Sequence, residues 1–445
     1  MEIQNLKFED RDEFKRKSIA EKVISVLQAN IDISPMVIDG SWGTGKTEFC
    51  HKLINLMHVS DTHHLIYVDA FKADHADEPL MTVLAEVIKV LPDDDSKQSF
   101  MKKALPAVRY GLKTIAKAGV SHLLRQDVAD VADDFDKQIQ GAADKAIDAT
   151  VESVLKDHVK ADKNLKALQV ALADIAAIKP IILFVDELDR CRPNFAVDML
   201  EIIKHTFDVE GVKFVLITNT QQLKASINHC YGQSVDAQRY LDKFVKFTIA
   251  LPETVDTNAH RESIAAIEHY KNLVRSSHVL GGMKLYECGS IRTIEQIIIA
   301  NRLSLREVET VVRHIEIYVT LAQSNNLQSN TIFGYKVLTI LAIAIYSIQP
   351  EVALSILQKR IDAKDIGNCF GISSLSNDIQ GRPDEQELIC YMLGYTALHN
   401  KEHFTPTEDA DIWKQESARY FQGGYWRTDD FASICAEAIQ TLTMC

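Results

Sequence analysis

The residues with the clearest chemical purpose form the run Gly40-Ser41-Trp42-Gly43-Thr44-Gly45-Lys46-Thr47. It fits the phosphate-cradling pattern GxxxxGK[ST]. Glycines let the backbone curl until several N–H groups face one anion, and a helix that begins there adds the positive end of its dipole. The Lys46 ammonium is expected to bridge the β- and γ-phosphates of a nucleotide and the Thr47 hydroxyl to ligate Mg²⁺, with Glu48 closing the stretch that touches the ligand. The bland alternative is a glycine turn with a surface lysine. The flanks argue against it, because Pro35-Met-Val-Ile-Asp39 reads as a short strand and Glu48 to Met57 as a helix.

A second constellation is Ile181-Ile-Leu-Phe-Val-Asp186-Glu187. An apolar strand that ends in Asp puts a carboxylate at the edge of the sheet, where Asp186 can hold a Mg²⁺-bound water. Glu187 is then placed to orient and deprotonate an attacking water, or simply to cap the following helix. After the next apolar run, Phe214-Val-Leu-Ile-Thr218-Asn219-Thr220, Asn219 is the candidate for sensing a terminal phosphate, with Thr218 as the substitute. Phosphoryl transfer also needs positive charge on the equatorial oxygens, which a guanidinium supplies in pairs of donors. Arg306 and Arg239 are the leading candidates, beside Arg190, Arg192 and Lys243, and each also reads as a surface or ion-pairing residue.

These groups need a scaffold, and the pattern supplies one. Short apolar runs at Leu65–Asp69, Ile181–Val185, Lys213–Ile217 and Lys246–Leu251 alternate with helical spacing. This predicts an α/β fold with a parallel sheet covered on both faces. A helix is expected over residues 8 to 30, where Phe14, Ile19, Val23, Ile24 and Leu27 recur at helical spacing, and another over Glu78–Leu91. Residues 92–178 form a long insertion; between 93 and 166 there are 13 acidic and 13 basic side chains, so it reads as charged, amphipathic helices projecting as a hairpin. From Ala259 onward the pattern is almost wholly helical, with a break at Gln323–Asn330. The expected division is a core over 1–256, a helical lid over 257–322 and a helical C-terminal domain over 330–445.

Composition narrows the function. The 445 residues are 46% apolar and 25% charged, which suits globular units rather than a disordered chain. A net charge of -13 disfavours sequence-independent coating of DNA. The eight cysteines, at 50, 191, 230, 288, 369, 390, 435 and 445, lack CxxC pairs, so reduced thiols in the cytoplasm are expected. The charged start has no apolar signal core, and the most apolar run, Val337–Ile348, is too short to span a bilayer and reads as a buried helix. His63, His64 and His75 read as loop residues, because no second cluster stands at ligand spacing. Trp413, Tyr420, Phe421, Tyr425, Trp426 and Phe431 read as core in preference to a binding surface.

Together these residues resemble the KAP family of P-loop NTPases, within the wider STAND and AAA-like ATPases. The marks are the Trp in Gly40-x-Trp42-Gly43-x-Gly45-Lys46-Thr47 and the extended acidic box Val185-Asp-Glu-Leu-Asp-Arg-Cys-Arg-Pro193. Asp69-Ala-Phe-Lys72 and Tyr240-Leu-Asp-Lys243, before a strand ending in Leu251-Pro252, support them over residues 8 to 320. The resemblance implies a three-layer P-loop NTPase core with a helical insertion, an all-helical lid and ATP with Mg²⁺ as ligands. It implies functional roles for Lys46, Thr47, Asp186 and Glu187. Many members carry membrane spans in the insertion, whereas here it is charged throughout, so no membrane span is expected. Where the family favours Asn-Ala-Trp this chain has Asp69-Ala70-Phe71. By analogy with phage-exclusion relatives, the expected activity is a slow or activator-dependent ATPase acting as a conformational switch in antiviral defence, in a homo-oligomer with a protein effector or trigger. The alternatives are a nucleotide-loaded scaffold that hardly hydrolyses and a DNA-remodelling ATPase.

Overall fold

A computed structural model describes residues 5–10, 12, 14–29, 31–76, 78–91, 97–98, 100–104, 163, 165–256, 262–283, 285, 290–322, 326–376, 382–421 and 430–443. The chain divides into two compact units. The first comprises Met1–Asp12, Arg16–Gly40 and Lys46–Leu251; the second comprises Glu13–Lys15, Ser41–Gly45 and Pro252–Cys445.

The first unit is built on five parallel strands: β1 (Met36–Asp39), β2 (His64–Asp69), β3 (Ile181–Asp186), β4 (Val212–Thr218) and β5 (Phe247–Ala250). Their order across the sheet is β2-β3-β4-β1-β5. Successive strand residues point to opposite faces, so the apolar runs of β1 to β4 feed two cores, whereas the edge strand β5 is largely exposed. Ile181, Leu183 and Val185 of β3 join Val37, Phe214 and Leu216 on one face, beneath helices Pro79–Val90, Pro193–Thr206 and Thr220–Tyr231. Ile182 and Phe184 join Met36, Ile38 and Tyr67 on the other, beneath α1 (Lys17–Gln28) and α2 (Lys46–His58). This is the expected three-layer α/β arrangement, and it explains why the strands are continuous apolar runs instead of alternating ones.

The first helix is shorter than its spacing predicted. It begins at Lys17, not near residue 8, because the Asp12 carboxylate accepts the N–H groups of Arg16 (2.7 Å) and Lys17 (3.0 Å) and so fixes the helix start. Ala20, Val23 and Leu27 form its buried stripe. Phe14, counted in the longer spacing, instead lies against His269 within the second unit, ring centroids 6.1 Å apart. The insertion is helical at 97–98, 100–104 and 165–178; the projecting hairpin predicted between them falls largely on residues outside the described ones.

The second unit opens with a small antiparallel ribbon, Thr254–Asp256 with Glu262–Ile264, which the helical reading of this stretch missed. Helices follow, and residues from 266 to 442 contribute to one apolar core. At its centre lies Phe333–Ile348, buried over nearly its whole circumference. The apolar run within it is a core helix, and among the described residues no helix is long and apolar enough to cross a membrane. Trp413, Phe421 and Phe431 are buried, with Phe421 edge-on to Tyr335 and tilted against Phe431; Tyr425 and Trp426 lie outside the described residues.

Gly334 permits this packing. A Cβ added there would stand 2.5 to 2.7 Å from ring atoms of Phe421. Gly334→Ala is expected to cost about 1–3 kcal/mol through overpacking, read as a fall in the urea unfolding midpoint. Gly282→Ala, where a Cβ would meet nothing within 4 Å, is the control and is expected to leave the midpoint unchanged. Equal midpoints for the two variants would overturn the packing argument.

Candidate active site

Four strands end at the carboxyl edge of the first unit with polar groups in a row. Asp39 closes β1, Thr218 closes β4 and Asp186 closes β3; Asp69 at the end of β2 stands in register with Asp186. The chain leaves β1 through Gly40 and starts α2 at Lys46, so the first turn of α2 sits at this edge.

Asp186 is buried to 1% exposure. Desolvation of its carboxyl pushes the pKa up to about 6, opposed by hydrogen bonds from the Thr47 hydroxyl, the Glu187 N–H (2.8 Å) and the Tyr67 hydroxyl (3.1 Å). The bond to Thr47 joins the two sequence motifs. A hydroxyl and a carboxylate meeting in this way are hard oxygen donors of the kind Mg²⁺ prefers, so the residues fit the ion that the motifs imply. Lys46 is also buried. Its ammonium donates to the Gly40 carbonyl at 2.6 Å, and burial lowers its pKa while Asp189 and Asp186 pull it back up.

Glu187 has a left-handed backbone, φ 60°, which is uncommon for a residue with a side chain. Its side chain does not cap the following turn. The carboxylate instead pairs with the Arg190 guanidinium at 2.8 Å. Arg192 is tied to Asp74 through its backbone N–H and Nε, both at 3.1 Å, and through a further bond to the Asp74 carbonyl. Asn219 caps helix Thr220–Tyr231, its carboxamide oxygen accepting from Gln221 (3.0 Å) and Gln222 (3.4 Å), which leaves the amide hydrogens as its remaining donors. The Thr218 hydroxyl donates to Asp189 at 3.1 Å, both groups buried. Arg239 is exposed on the short helix Ala237–Leu241 and pairs with Asp236 at 3.3 Å. The Lys243 ammonium lies over the Tyr240 ring.

Within the second unit, Ser41–Gly45 pack against the start of helix Leu305–Leu321. The Gly43 carbonyl accepts the Leu305 N–H at 3.1 Å, and the Thr44 hydroxyl donates to the Ser41 carbonyl at 2.8 Å. Gly43 and Gly45 have φ of 78° and 80°. At Gly43 any side chain would also strike Ser304, 2.7 Å from an added Cβ, with the Arg306 Cβ at 3.5 Å. Arg306 therefore stands beside Gly43. Ser304 is held by a reciprocal capping box with Glu307. Trp42 is about half exposed, and Glu48 pairs with Lys52 at 2.7 Å.

Two contributors escaped the sequence reading. Tyr67 sits in an apolar strand, and the signal was that a buried Tyr hydroxyl needs a partner; here that partner is Asp186. Asp39 accepts the Thr220 N–H at 2.9 Å, tying the ends of β1 and β4 together. No run of residues announces that pairing.

The raised pKa of Asp186 gives a stability test. Folding favours the protonated carboxyl, so the stabilisation is fully present below the unfolded value of about 4 and is lost as pH rises through about 6. In the absence of nucleotide and metal, Asp186→Asn is expected to be the more stable chain at neutral pH, with an advantage that shrinks toward about pH 4. Urea midpoints across this range read the difference; a gap that widens on acidification would refute the assignment.

With this geometry in view, the comparisons with known proteins are specific. The chain matches the KAP family P-loop domain over residues 16–322. It is also similar to the phage T7 exclusion protein of Escherichia coli (strain K12), 24% identical over 251 residues that cover 54% of this chain and 33% of the relative. The chain thus spans about a third of that relative's length. The phosphate loop, the acidic box and the sheet order that separates them by one strand all fall inside the matched region, and the chain belongs to the KAP family of P-loop NTPases.

Proposed function

We propose that the protein is a Mg²⁺-dependent ATP hydrolase that works as a conformational switch in the defence of a bacterial cell against phage. The observation that supports the hydrolase reading best is the hydrogen bond between Thr47 and the buried Asp186 carboxyl, because it joins the phosphate loop to the acidic box at the spot where a metal-bound triphosphate needs both. The defence role rests on the similarity to a phage exclusion protein, and the cytoplasm is the compartment proposed with it.

In this reading bound Mg²⁺ neutralises phosphate oxygens. The loop residues Gly40, Ser41, Trp42, Gly43, Thr44 and Gly45 wrap the phosphates with their backbone, Lys46 donates to the outer two, and Thr47 and Asp186 hold the ion. Glu187 takes the proton from the attacking water, and the Asn219 amide donates toward the terminal phosphate. Arg306 supplies charge to the equatorial oxygens, with Arg239, exposed on its short helix, suited to serve a neighbouring subunit of a homo-oligomer. Contacts of the second unit with its glycine-loop residues give a route from phosphate state to protein conformation, and so to an effector or trigger protein.

The Glu187–Arg190 pair favours low basal turnover, since a carboxylate held by a guanidinium at 2.8 Å is a weaker base. It therefore also supports the second reading, a nucleotide-loaded scaffold that recruits an effector with little hydrolysis. A DNA-remodelling role would show as DNA-stimulated turnover and is disfavoured by the net charge of -13.

Phosphate release from ATP and Mg²⁺, with and without DNA, together with light-scattering mass in both nucleotide states, separates the three readings. Slow, DNA-independent release with a nucleotide-dependent mass is the expected result; tight ATP binding without release favours the scaffold, and DNA stimulation the remodelling enzyme. Glu187→Gln is expected to keep ATP affinity and lower turnover by about 10²-fold or more. Turnover that survives in this variant would remove Glu187 as the base.

A further inference from the structure

The turn that follows β3 carries a cation next to the proposed base. Arg190 ends the short turn Leu188–Arg190, and its guanidinium pairs with the Glu187 carboxylate at 2.8 Å. The backbone of this turn is fixed. The Arg190 N–H donates to the Glu187 carbonyl at 3.1 Å, the Glu187 N–H to the Asp186 carboxylate at 2.8 Å, and the buried Asp189 takes the Thr218 hydroxyl at 3.1 Å. The Arg190 side chain is held less firmly. It and Glu187 are 32% and 19% exposed and three residues apart, a pair of the kind that contributes little by itself. Two other arginines of this unit differ. Arg192 is fastened to the buried Asp74 through its backbone N–H and Nε, and Arg239 is 86% exposed beside Asp236.

The Arg190 charge is felt at the phosphate loop. Burial and, after it, Arg190 lower the pKa of the Lys46 ammonium, while Asp189, Asp186 and Asp39 raise it. Two cations thus face one polar edge, and their repulsion is strongest where water is excluded. In this structure carboxylates offset it, Asp189 and Asp186 at Lys46 and Glu187 at Arg190. A terminal phosphate is an anion that suits both cations. It carries more charge than a carboxylate, and a planar guanidinium can take two of its oxygens at once. Position selects the terminal phosphate over the inner ones. A base that deprotonates the attacking water stands beyond the outermost phosphorus, in line with the bond that breaks. A guanidinium within 2.8 Å of that base stands on the same side, where a diphosphate leaves nothing to bind.

We propose that Arg190 is the residue by which the site tells a nucleoside triphosphate from a diphosphate: the guanidinium that pairs with Glu187 in this structure turns to the terminal phosphate when one is bound. This rests on the reading of Glu187 as the base and gives the acidic box a cation with a task of its own, separate from that of Arg306.

Affinities for ATP and ADP, titrated by calorimetry with Mg²⁺ in the Glu187→Gln chain, test this without interference from hydrolysis. Adding Arg190→Ala is expected to weaken ATP binding about tenfold and to leave ADP binding unchanged, so that retained ADP binding also reports an intact fold. Arg190→Lys keeps the charge without the fork and is expected to recover part of the loss. The imido analogue of ATP, titrated into the chains that keep Glu187, is expected to give the same ranking. An affinity ratio of triphosphate to diphosphate unmoved by Arg190→Ala in either background, or both nucleotides weakened equally, overturns the proposal while nucleotide binding stands. An unsubstituted chain that binds neither nucleotide overturns the nucleotide reading and this proposal with it.

Discussion

The carboxyl edge of the sheet is organised by the cost of burying Asp186. An isolated carboxylate in that position would be strongly disfavoured, so three donors converge on it from three different elements. Thr47 comes from the first turn of α2, Tyr67 from β2 and the Glu187 N–H from the turn after β3. Even so, desolvation wins and the carboxyl pKa rises to about 6. The same convergence that makes the acid tolerable aligns the motifs, and a divalent ion there would replace the donor hydroxyl with a stronger partner.

The neighbouring groups follow the same economy of paired polar atoms. Asp189 is buried and takes the Thr218 hydroxyl; Asp39 takes the Thr220 N–H; Asp74 takes Arg192. The first two tie the end of a strand to the start of another element, and the third joins the turn after β2 to the start of helix Pro193–Thr206, so the polar edge is a lattice rather than a set of separate side chains. Glu187 differs, because its partner Arg190 is only three residues away and its backbone is left-handed. Asp69 is likewise paired locally, with the Lys72 N–H at 2.9 Å.

The second unit depends on close approach. Gly43 and Gly334 both stand where a Cβ would collide, with Ser304 in one case and Phe421 in the other. In the loop this lets the carbonyl of residue 43 meet the N-terminus of helix Leu305–Leu321, whose capping box holds Ser304 in place. In the core it lets an aromatic ring press onto the central helix, which neighbours cover over nearly its whole circumference.

How much of this was legible depended on whether the signal was local. The phosphate loop, the acidic box and the apolar strands are each written in consecutive residues, because backbone curvature and strand burial are set by neighbours along the chain. Read together they determined the α/β class, the parallel sheet and the identities of Lys46, Thr47, Asp186 and Glu187 as the residues to watch. The true start of α1 was hidden, since one side chain, Asp12, decides it against the apolar spacing. Only the tertiary structure decided that Tyr67 braces Asp186, that Thr218 serves Asp189 and that Arg306 stands beside Gly43. Those partners are separated by up to hundreds of residues, and a burial cost is paid in space, where the sequence has no ruler.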